Sequence, residues 1–260
     1  MIGFNGGLIG KTNSTSIGPS VPGVWTADEQ LRAKALSLWP GTGILANGLI
    51  LHLDAGQSPS YPGSGTAWTD LSTSGNNGTL TNGPTFDSAD GGSIVFDGSN
   101  DYVALPLITS AIANVTLQCW VYLGTTSAKG AFMGVGSGSN GWSFGVGSGG
   151  NIGNLGNEIV AIFPGNRYVG TSTNYGTGWK FATFVLSGAS VPSFYLGSTF
   201  IGSYTGGNPS TPTTAAAVGA ASSSNRFFGG KIAQAIAYNR ALSATDVQFN
   251  FDATKVRYGL

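Results

Sequence analysis

The feature that most constrains the fold is a change of periodicity at Gly48, after which apolar residues recur at every second position. Such alternation predicts β-strands, because successive side chains of a strand point to opposite faces. Clusters of Gly, Asn, Ser and Pro separate the alternating segments and favour turns. Many short strands at this spacing favour an all-β sandwich or barrel. The predicted strands are 49–54, 93–96, 102–105, 116–123, 142–146, 159–163, 180–186, 193–196 and 231–238.

The composition supports a folded domain with no net charge. The chain has 41% hydrophobic residues and 43 Gly, enough apolar material for a core and enough glycine for tight turns. It carries 11 basic and 11 acidic residues with no Lys/Arg run, which argues against a nucleic-acid-binding face. A single cysteine, Cys119, excludes an internal disulfide framework and a cysteine-based zinc site.

Residues 1–44 form a separate segment that precedes a domain over 45–260. The segment is rich in Gly, Ser and Thr, but a helix is predicted over 26–38, where Thr26 and Glu29 form a capping box. A helix this short is marginal alone and needs a surface to dock on. The residues predicted to make that docking contact are Trp25, Leu31, Leu38 and Trp39.

No basic and apolar leader opens the sequence, and no apolar run approaches the ~20 residues of a membrane span. We therefore expect synthesis in the host cytoplasm without membrane insertion. An extracellular role would then need another way out of the cell, and release by lysis as part of a virus particle is one.

Three further local predictions concern the C-terminal half. Residues 205–225 are low in complexity and predict a long loop. The strand over 231–238 is predicted to lie inside a sheet, with Ile236 facing the opposite sheet and the alternating alanines on the other side. A short helix is predicted from Ser243, which forms a capping box with Asp246.

The sequence from Gly48 onward resembles the laminin-G-like, concanavalin-like lectin/glucanase domains. The segments that carry the resemblance, in the family's order, are 48–56, 94–103, 116–122, 179–184 and 228–243. The last of these is the most specific, since it is similar to the family's closing strand and its exit to a short helix. The resemblance implies an antiparallel two-sheet jelly-roll sandwich.

The opening of the chain is similar to something else. Residues 1–10, 23–26 and 39–40 resemble the openings of structural proteins of tailed bacteriophages, in which a laminin-G-like module often follows directly. This resemblance implies a virion protein whose N-terminal segment docks on the capsid or tail.

The sequence gives little support for catalysis. Glycanases of the concanavalin-like fold use a Glu-x-Asp-x-Glu strand, but the chain has two glutamates, Glu29 and Glu158, and neither lies in such a motif. Gly141–Gly145 matches a nucleophile-elbow pattern around Ser143, yet the single histidine, His52, precedes it and no helix is predicted to follow. We predict that the chain is not an enzyme.

Two aspartates and two other titratable residues were considered for binding roles. Asp97 and Asp101 flank a Gly-Ser-Asn turn, where they either offer oxygens to Ca²⁺ or cap turn amides, and turn capping is favoured. No other cofactor is predicted. His52 is expected to be a half-exposed sheet residue, and Cys119 a buried, unreactive thiol.

Aromatic side chains near loops are the candidates for glycan contact, because sugar rings stack on exposed Trp and Tyr. Aromatics in a sandwich also build the core or subunit interfaces, so both roles stay open for each residue. The candidates are Trp68, Trp142, Tyr168, Tyr175 and Tyr204.

The favoured function is a structural component of a tailed-phage virion, as a capsid decoration, head fibre or tail-associated protein. The sandwich would project outward and add weak adhesion to a host-surface glycan. Assembly as a homo-oligomer, with a trimer favoured by analogy with phage appendages, is expected. The alternatives are a secreted bacterial carbohydrate-binding surface protein and a glycan hydrolase.

Overall fold

The chain divides into two units, Met1–Asn47 and Gly48–Leu260, and the fold given below is that of the second. The computed structural model describes residues 43–108, 114–125, 128–137, 140–148, 154–163, 167–171, 173–188, 191–204, 215–221 and 226–260. The helix predicted over 26–38 lies outside the described residues, and so do the predicted docking residues Trp25, Leu31, Leu38 and Trp39. Their roles stay predictions.

The described part of the second unit contains sixteen strands and one α-helix. The strands are β1 (Leu49–Asp54), β2 (Ala67–Trp68), β3 (Gly78–Thr81), β4 (Thr85–Asp87), β5 (Ser93–Asp97), β6 (Tyr102–Ala104), β7 (Asn114–Leu123), β8 (Gly130–Ser137), β9 (Asn140–Gly147), β10 (Glu158–Phe163), β11 (Arg167–Gly170), β12 (Gly178–Ser187), β13 (Val191–Leu196), β14 (Thr199–Ser203), β15 (Ala216–Val218) and β16 (Gly229–Tyr238). Helix α1 spans Ala244–Thr254, and 3₁₀ helices span Ala89–Gly91 and Lys255–Tyr258. No helix in these ranges is long and apolar enough to span a membrane.

The strands form two antiparallel sheets that pack face to face. The first sheet has the order β14-β13-β12-β7-β16-β5-β4, with β1 also pairing with β16, and the second has the order β11-β10-β9-β8-β15-β6-β3-β2. One hydrophobic core draws side chains from both sheets, for example Leu117 from β7 and Phe144 from β9. The predicted antiparallel two-sheet sandwich is confirmed.

Each predicted strand is present, with bounds that differ by at most two residues. Strand β7 shows why the period-two pattern was informative. Leu117, Cys119 and Val121 enter the core between the sheets, whereas Gln118 and Trp120 face the other way. Cys119 is fully buried as predicted, and burial raises the pKa of its thiol far above the ordinary value.

The outer face of the first sheet is covered by the C-terminal helices. Ser243 caps α1, and Asp246 completes the predicted capping box. The Trp120 indole N–H donates to Thr254 Oγ1 at 2.8 Å, and the Tyr258 ring stacks on Trp120 with 4.0 Å between centroids. The central part of this sheet is therefore buried on both faces.

Strand β16 lies inside the first sheet, as predicted, because it pairs with β7 on one side and with β1 and β5 on the other. Ile232 enters the core between the sheets, as its place among the large alternating residues predicted, but the prediction of the faces is wrong beyond it. A bulge lies between Ile232 and Gln234, and beyond it Ala235 and Ala237 enter the core between the sheets. Ile236 consequently faces outward on the same side as Tyr238, whose hydroxyl accepts a hydrogen bond from Asn250 of α1.

The long loop predicted over 205–225 is interrupted by β15, which pairs with β8 and β6 inside the second sheet. Alanine-rich sequence suits this position because the backbones approach closely. A Cβ atom at Gly134 of β8 would lie 2.1 Å from the Ala221 carbonyl oxygen, so only glycine fits there.

The prediction of a half-exposed His52 is also wrong. Its side chain is fully buried on β1, and neither ring nitrogen has a hydrogen-bond partner. The free edge of β1 is covered, since the His52 amide donates to Asp70 and its carbonyl accepts from Leu71. Burial lowers the pKa of His52 against the opposing influence of the nearby carboxylates of Asp54 and Asp70.

Candidate functional site

Two of the five predicted glycan contacts are core residues instead. Trp68 and Trp142 are 0% and 2% exposed, and the Trp142 ring stacks on Phe184 of β12 with 5.2 Å between centroids. Their rings lie between the sheets, where a sugar has no access. The turn residues near both tryptophans suggested exposure, but the alternation of each strand turns the indole inward.

Tyr168 lies on β11, where its backbone is in register with Ile162 of β10. Its side chain is outside the described part of the structure, so its role stays a prediction.

Tyr175 and Tyr204 are the remaining two candidates. Tyr175 and Glu158 each lie close enough to Tyr204 to influence the pKa of its phenol, and we call these three residues the Tyr175 cluster. Glu158 begins β10 of the second sheet, whereas Tyr175 and Tyr204 lie next to β12 and β14 of the first. All three are partly exposed, and both tyrosines also pack against the core. Partial burial raises the pKa of Tyr204, and the nearby Tyr175 and Glu158 raise it further.

Asn157 holds the backbone around Tyr175 in place. Its side chain is fully buried, donates to the carbonyls of Thr125 and Gly176 at 2.7 Å each, and accepts from the Ala128 amide. Its own carbonyl accepts a hydrogen bond from the Tyr175 amide at 3.0 Å. Hydrogen bonds of Asn157 therefore connect its own loop with the loop at 125–128 and the loop at 175–176.

Tyr204 is positioned by the edge of the first sheet. Its amide donates to the Pro192 carbonyl at 3.0 Å. Its ring packs edge-on against the Phe194 ring, with 5.7 Å between centroids. The buried Phe194 ring thus restricts the orientation of the partly exposed phenol.

The Tyr175 cluster has the chemistry of a small polar-ligand site. Phenol rings offer flat apolar surface with a polar tip, and a carboxylate accepts hydrogen bonds from hydroxyl groups. Sequence analysis identified the tyrosines but missed the positioning role of Asn157, for which the sequence carries no local signal.

Asp97 and Asp101 form a closed turn. The Asp97 carboxylate accepts from the Ser99 amide at 2.8 Å, and Asp101 accepts from the Asp97 amide at 3.1 Å. Hydrogen bonding to the Ser99 amide lowers the pKa of Asp97, whereas burial raises that of Asp101. These contacts are those of the predicted turn capping. Across the described ranges, no group of three or more His, Cys, Asp or Glu side chains could hold a metal ion.

The nucleophile-elbow pattern falls in the wrong structural context. Gly141–Gly145 lies within β9, and Ser143 is 4% exposed in the middle of the second sheet. An elbow must place its serine at an exposed turn from a strand to a helix. This serine is a sheet residue.

A family model described as the Concanavalin A-like lectin/glucanases superfamily matches residues 97–248, more than half of the chain. No curated protein matches the chain.

Solved structures share the fold at low identity. Domain 4 of AbnA, a GH43 extracellular arabinanase from Geobacillus stearothermophilus, in complex with arabinotriose, is 19% identical with a TM-score of 0.57, over 79% of this chain and 98% of that domain. The binding domain of botulinum neurotoxin DC in complex with SialylT is 11% identical, with a TM-score of 0.60, over 80% of this chain. The binding domain of Paraclostridial Mosquitocidal Protein 1 is 15% identical, with a TM-score of 0.60, over 79% of this chain. The chain spans about half of each toxin binding domain, 52%.

Proposed function

The chain belongs to the concanavalin A-like lectin/glucanase superfamily, and we propose that it is a non-enzymatic, carbohydrate-binding sandwich displayed on the particle of a tailed phage. The observation that carries the binding half of this proposal is the Tyr175 cluster. It combines two partly exposed phenol rings with a carboxylate; the buried Asn157 holds the backbone at Tyr175, and the edge of the first sheet holds Tyr204. Such a constellation suits a sugar, which presents both apolar C–H faces and hydroxyl groups.

The structural relatives support carbohydrate as the ligand class. The arabinanase domain, which this chain matches over almost that domain's full length, is in complex with arabinotriose. A binding domain of this fold, rather than a catalytic one, is the common feature of these relatives. These relatives are less than 25% identical to this chain, so they show a shared fold and indicate no particular sugar; carbohydrate as the ligand class is what we propose.

The virion half of the proposal is supported by the resemblance of the opening segment to phage structural proteins. In this view residues 1–44 dock on other virion proteins through Trp25, Leu31, Leu38 and Trp39. The sandwich then projects outward, with a homotrimer as the favoured assembly, toward glycans on the host surface.

A glycan array probed with the purified full-length chain tests the binding function. We expect binding to at least one glycan, weakened by Tyr175→Ala and by Tyr204→Ala. Phe200→Ala is the matched control, since Phe200 is an aromatic residue that is 52% exposed on the edge strand β14. Absence of binding to every glycan would overturn the proposed function. Release of reducing ends that Glu158→Gln abolishes would instead establish a hydrolase.

A further inference from the structure

Trp179 differs from the other tryptophans that the structure describes. Trp68, Trp120 and Trp142 are at most 2% exposed, whereas Trp179 is only partly buried at the start of β12. It lies on the outer face of the first sheet, away from the core between the sheets.

Strand register places two further side chains in a row with Trp179. Tyr122 of β7 is directly opposite Trp179 on one side and Lys231 of β16 on the other. The two rings meet edge-on with 5.5 Å between centroids, and Lys231 Nζ lies 5.3 Å from the centroid of the Tyr122 ring. We call Trp179, Tyr122 and Lys231 the Trp179 row. All three are partly exposed.

The C-terminal 3₁₀ helix borders this row on one side. The next row along the sheet, which includes Phe181 and Trp120, is buried. Tyr258 covers Trp120 and lies 4.7 Å from the Trp179 ring, between centroids. The Trp179 row is therefore partly exposed to solvent and is bordered on one side by the Tyr258 ring.

Hydrogen-bonding groups lie beside the Trp179 row. The Trp179 indole N–H donates to Asp90 Oδ2 at 3.0 Å, which fixes the orientation of the ring. Lys231 forms an ion pair with Asp87 of β4. Aromatic surface, two carboxylates and an ammonium group thus occur together on a face that the Tyr175 cluster does not use.

We infer that the Trp179 row is a second carbohydrate-binding site, which takes a neutral oligosaccharide; this inference rests on the proposed carbohydrate binding. The rings accept the apolar faces of sugars, while Asp87 and Asp90 accept hydrogen bonds from hydroxyl groups and Lys231 donates one. Asp87 and Asp90 outnumber Lys231, and Arg257, which also reaches Asp90, is paired with Asp54, so an acidic sugar is disfavoured. With about 4.8 Å between strands, the row covers about 10 Å, longer than one sugar ring.

The test begins with the strongest neutral glycan on the array, titrated calorimetrically against the full-length chain, with a sialylated glycan of the same core as the charge comparison. We expect two sites per chain. Trp179→Leu, which keeps apolar volume but removes the aromatic face, should weaken one site about tenfold. Trp179→Phe should weaken it less, and Phe200→Ala should leave both sites unchanged.

A measurement on the unaltered protein makes the test independent of folding defects. The indole N–H resonance of Trp179, assigned by its disappearance in Trp179→Phe, should shift as the neutral glycan is added. An unshifted resonance, or unchanged affinity and stoichiometry in Trp179→Leu, would overturn the second site while leaving the Tyr175 cluster standing. The second site would also be overturned if the parent chain bound glycan at a single site and Tyr175→Ala abolished all binding. A wild-type chain that binds no glycan would instead remove the proposed function itself, and the second site with it.

Discussion

Arg257, in the 3₁₀ helix that follows α1, donates a hydrogen bond from its guanidinium group to the carboxylate of Asp54, 203 residues away at the end of β1. The Asp54 side chain is 2% exposed and that of Arg257 is 20% exposed. Burial opposes ionisation of Asp54, but the charge of Arg257 and hydrogen bonds from Gln57 and Gly56 hold its pKa below the ordinary value. This pair joins the two C-terminal helices, Ala244–Thr254 and Lys255–Tyr258, which we call the C-terminal layer, to the first sheet.

Replacing Arg257 with Met should therefore be strongly destabilising. The substitution leaves a buried carboxylate without its countercharge, which costs about 3 kcal/mol in such pairs. Urea denaturation of the two proteins measures the loss. The matched control is Lys255→Met, because the Lys255–Asp252 pair on the same segment is 34% and 44% exposed and should contribute less than about 1 kcal/mol. Equal losses in the two variants would show that the Asp54 pair has no special role.

His52 should make the stability of the sandwich depend on pH. Its pKa is lowered in the folded protein by burial, so the unfolded chain binds a proton that the folded chain does not. The free energy of unfolding should fall as pH drops below about 6.5, by up to about 1.4 kcal/mol per pH unit. Asp54, Asp70 and Arg257 are the charged groups that act on the imidazole.

Denaturation at pH 7.5 and pH 5.0 checks this dependence. His52→Leu should flatten it, and it should not destabilise the protein at pH 7.5, since the two buried ring nitrogens have no partners to lose. The same slope in the parent chain and in His52→Leu would assign the pH dependence to other groups.

The face assignment of β16 can be tested with one pair of substitutions. Ile236 is fully buried on the outward side of the strand, so Ile236→Ala should cost about 2–5 kcal/mol. Ala237, its neighbour, faces the core between the sheets, and Ala237→Leu should overpack it at a cost of about 1–3 kcal/mol. A neutral Ala237→Leu variant would indicate that Ala237 does not face the core.

Removing residues 1–44 should leave a folded, soluble sandwich that no longer joins virus particles. The sandwich has its own two-sheet core, whose described members all lie in the second unit. Circular dichroism and a thermal melt establish folding, and incorporation into purified particles establishes assembly. A truncated chain that fails to fold would place the segment in the core, and one that still assembles would move the docking surface to the sandwich.

Local sequence pattern was sufficient for much of this protein. The period of two identified strands such as β7, because each residue of a strand must point opposite to its neighbour whatever the strand packs against. The Ser243–Asp246 capping box identified the start of α1, because both hydrogen bonds close within one turn. The order of the family-like segments indicated the sandwich. The alternation and the capping box depend on residues close together in the chain, whereas the order of the family-like segments spans residues 48–243.

Tertiary structure alone decided which faces are buried and which aromatics reach solvent. The bulge after Ile232 reverses the faces of β16, and the C-terminal layer buries the outer side of the first sheet around Trp120. Burial on both faces removes the contrast between polar and apolar positions that alternation normally reveals. Tyr175, Glu158 and Tyr204 come from three separate segments of the chain. Hydrogen bonds between distant residues position them: Asn157 holds the backbone at Tyr175, and the edge of the first sheet holds Tyr204.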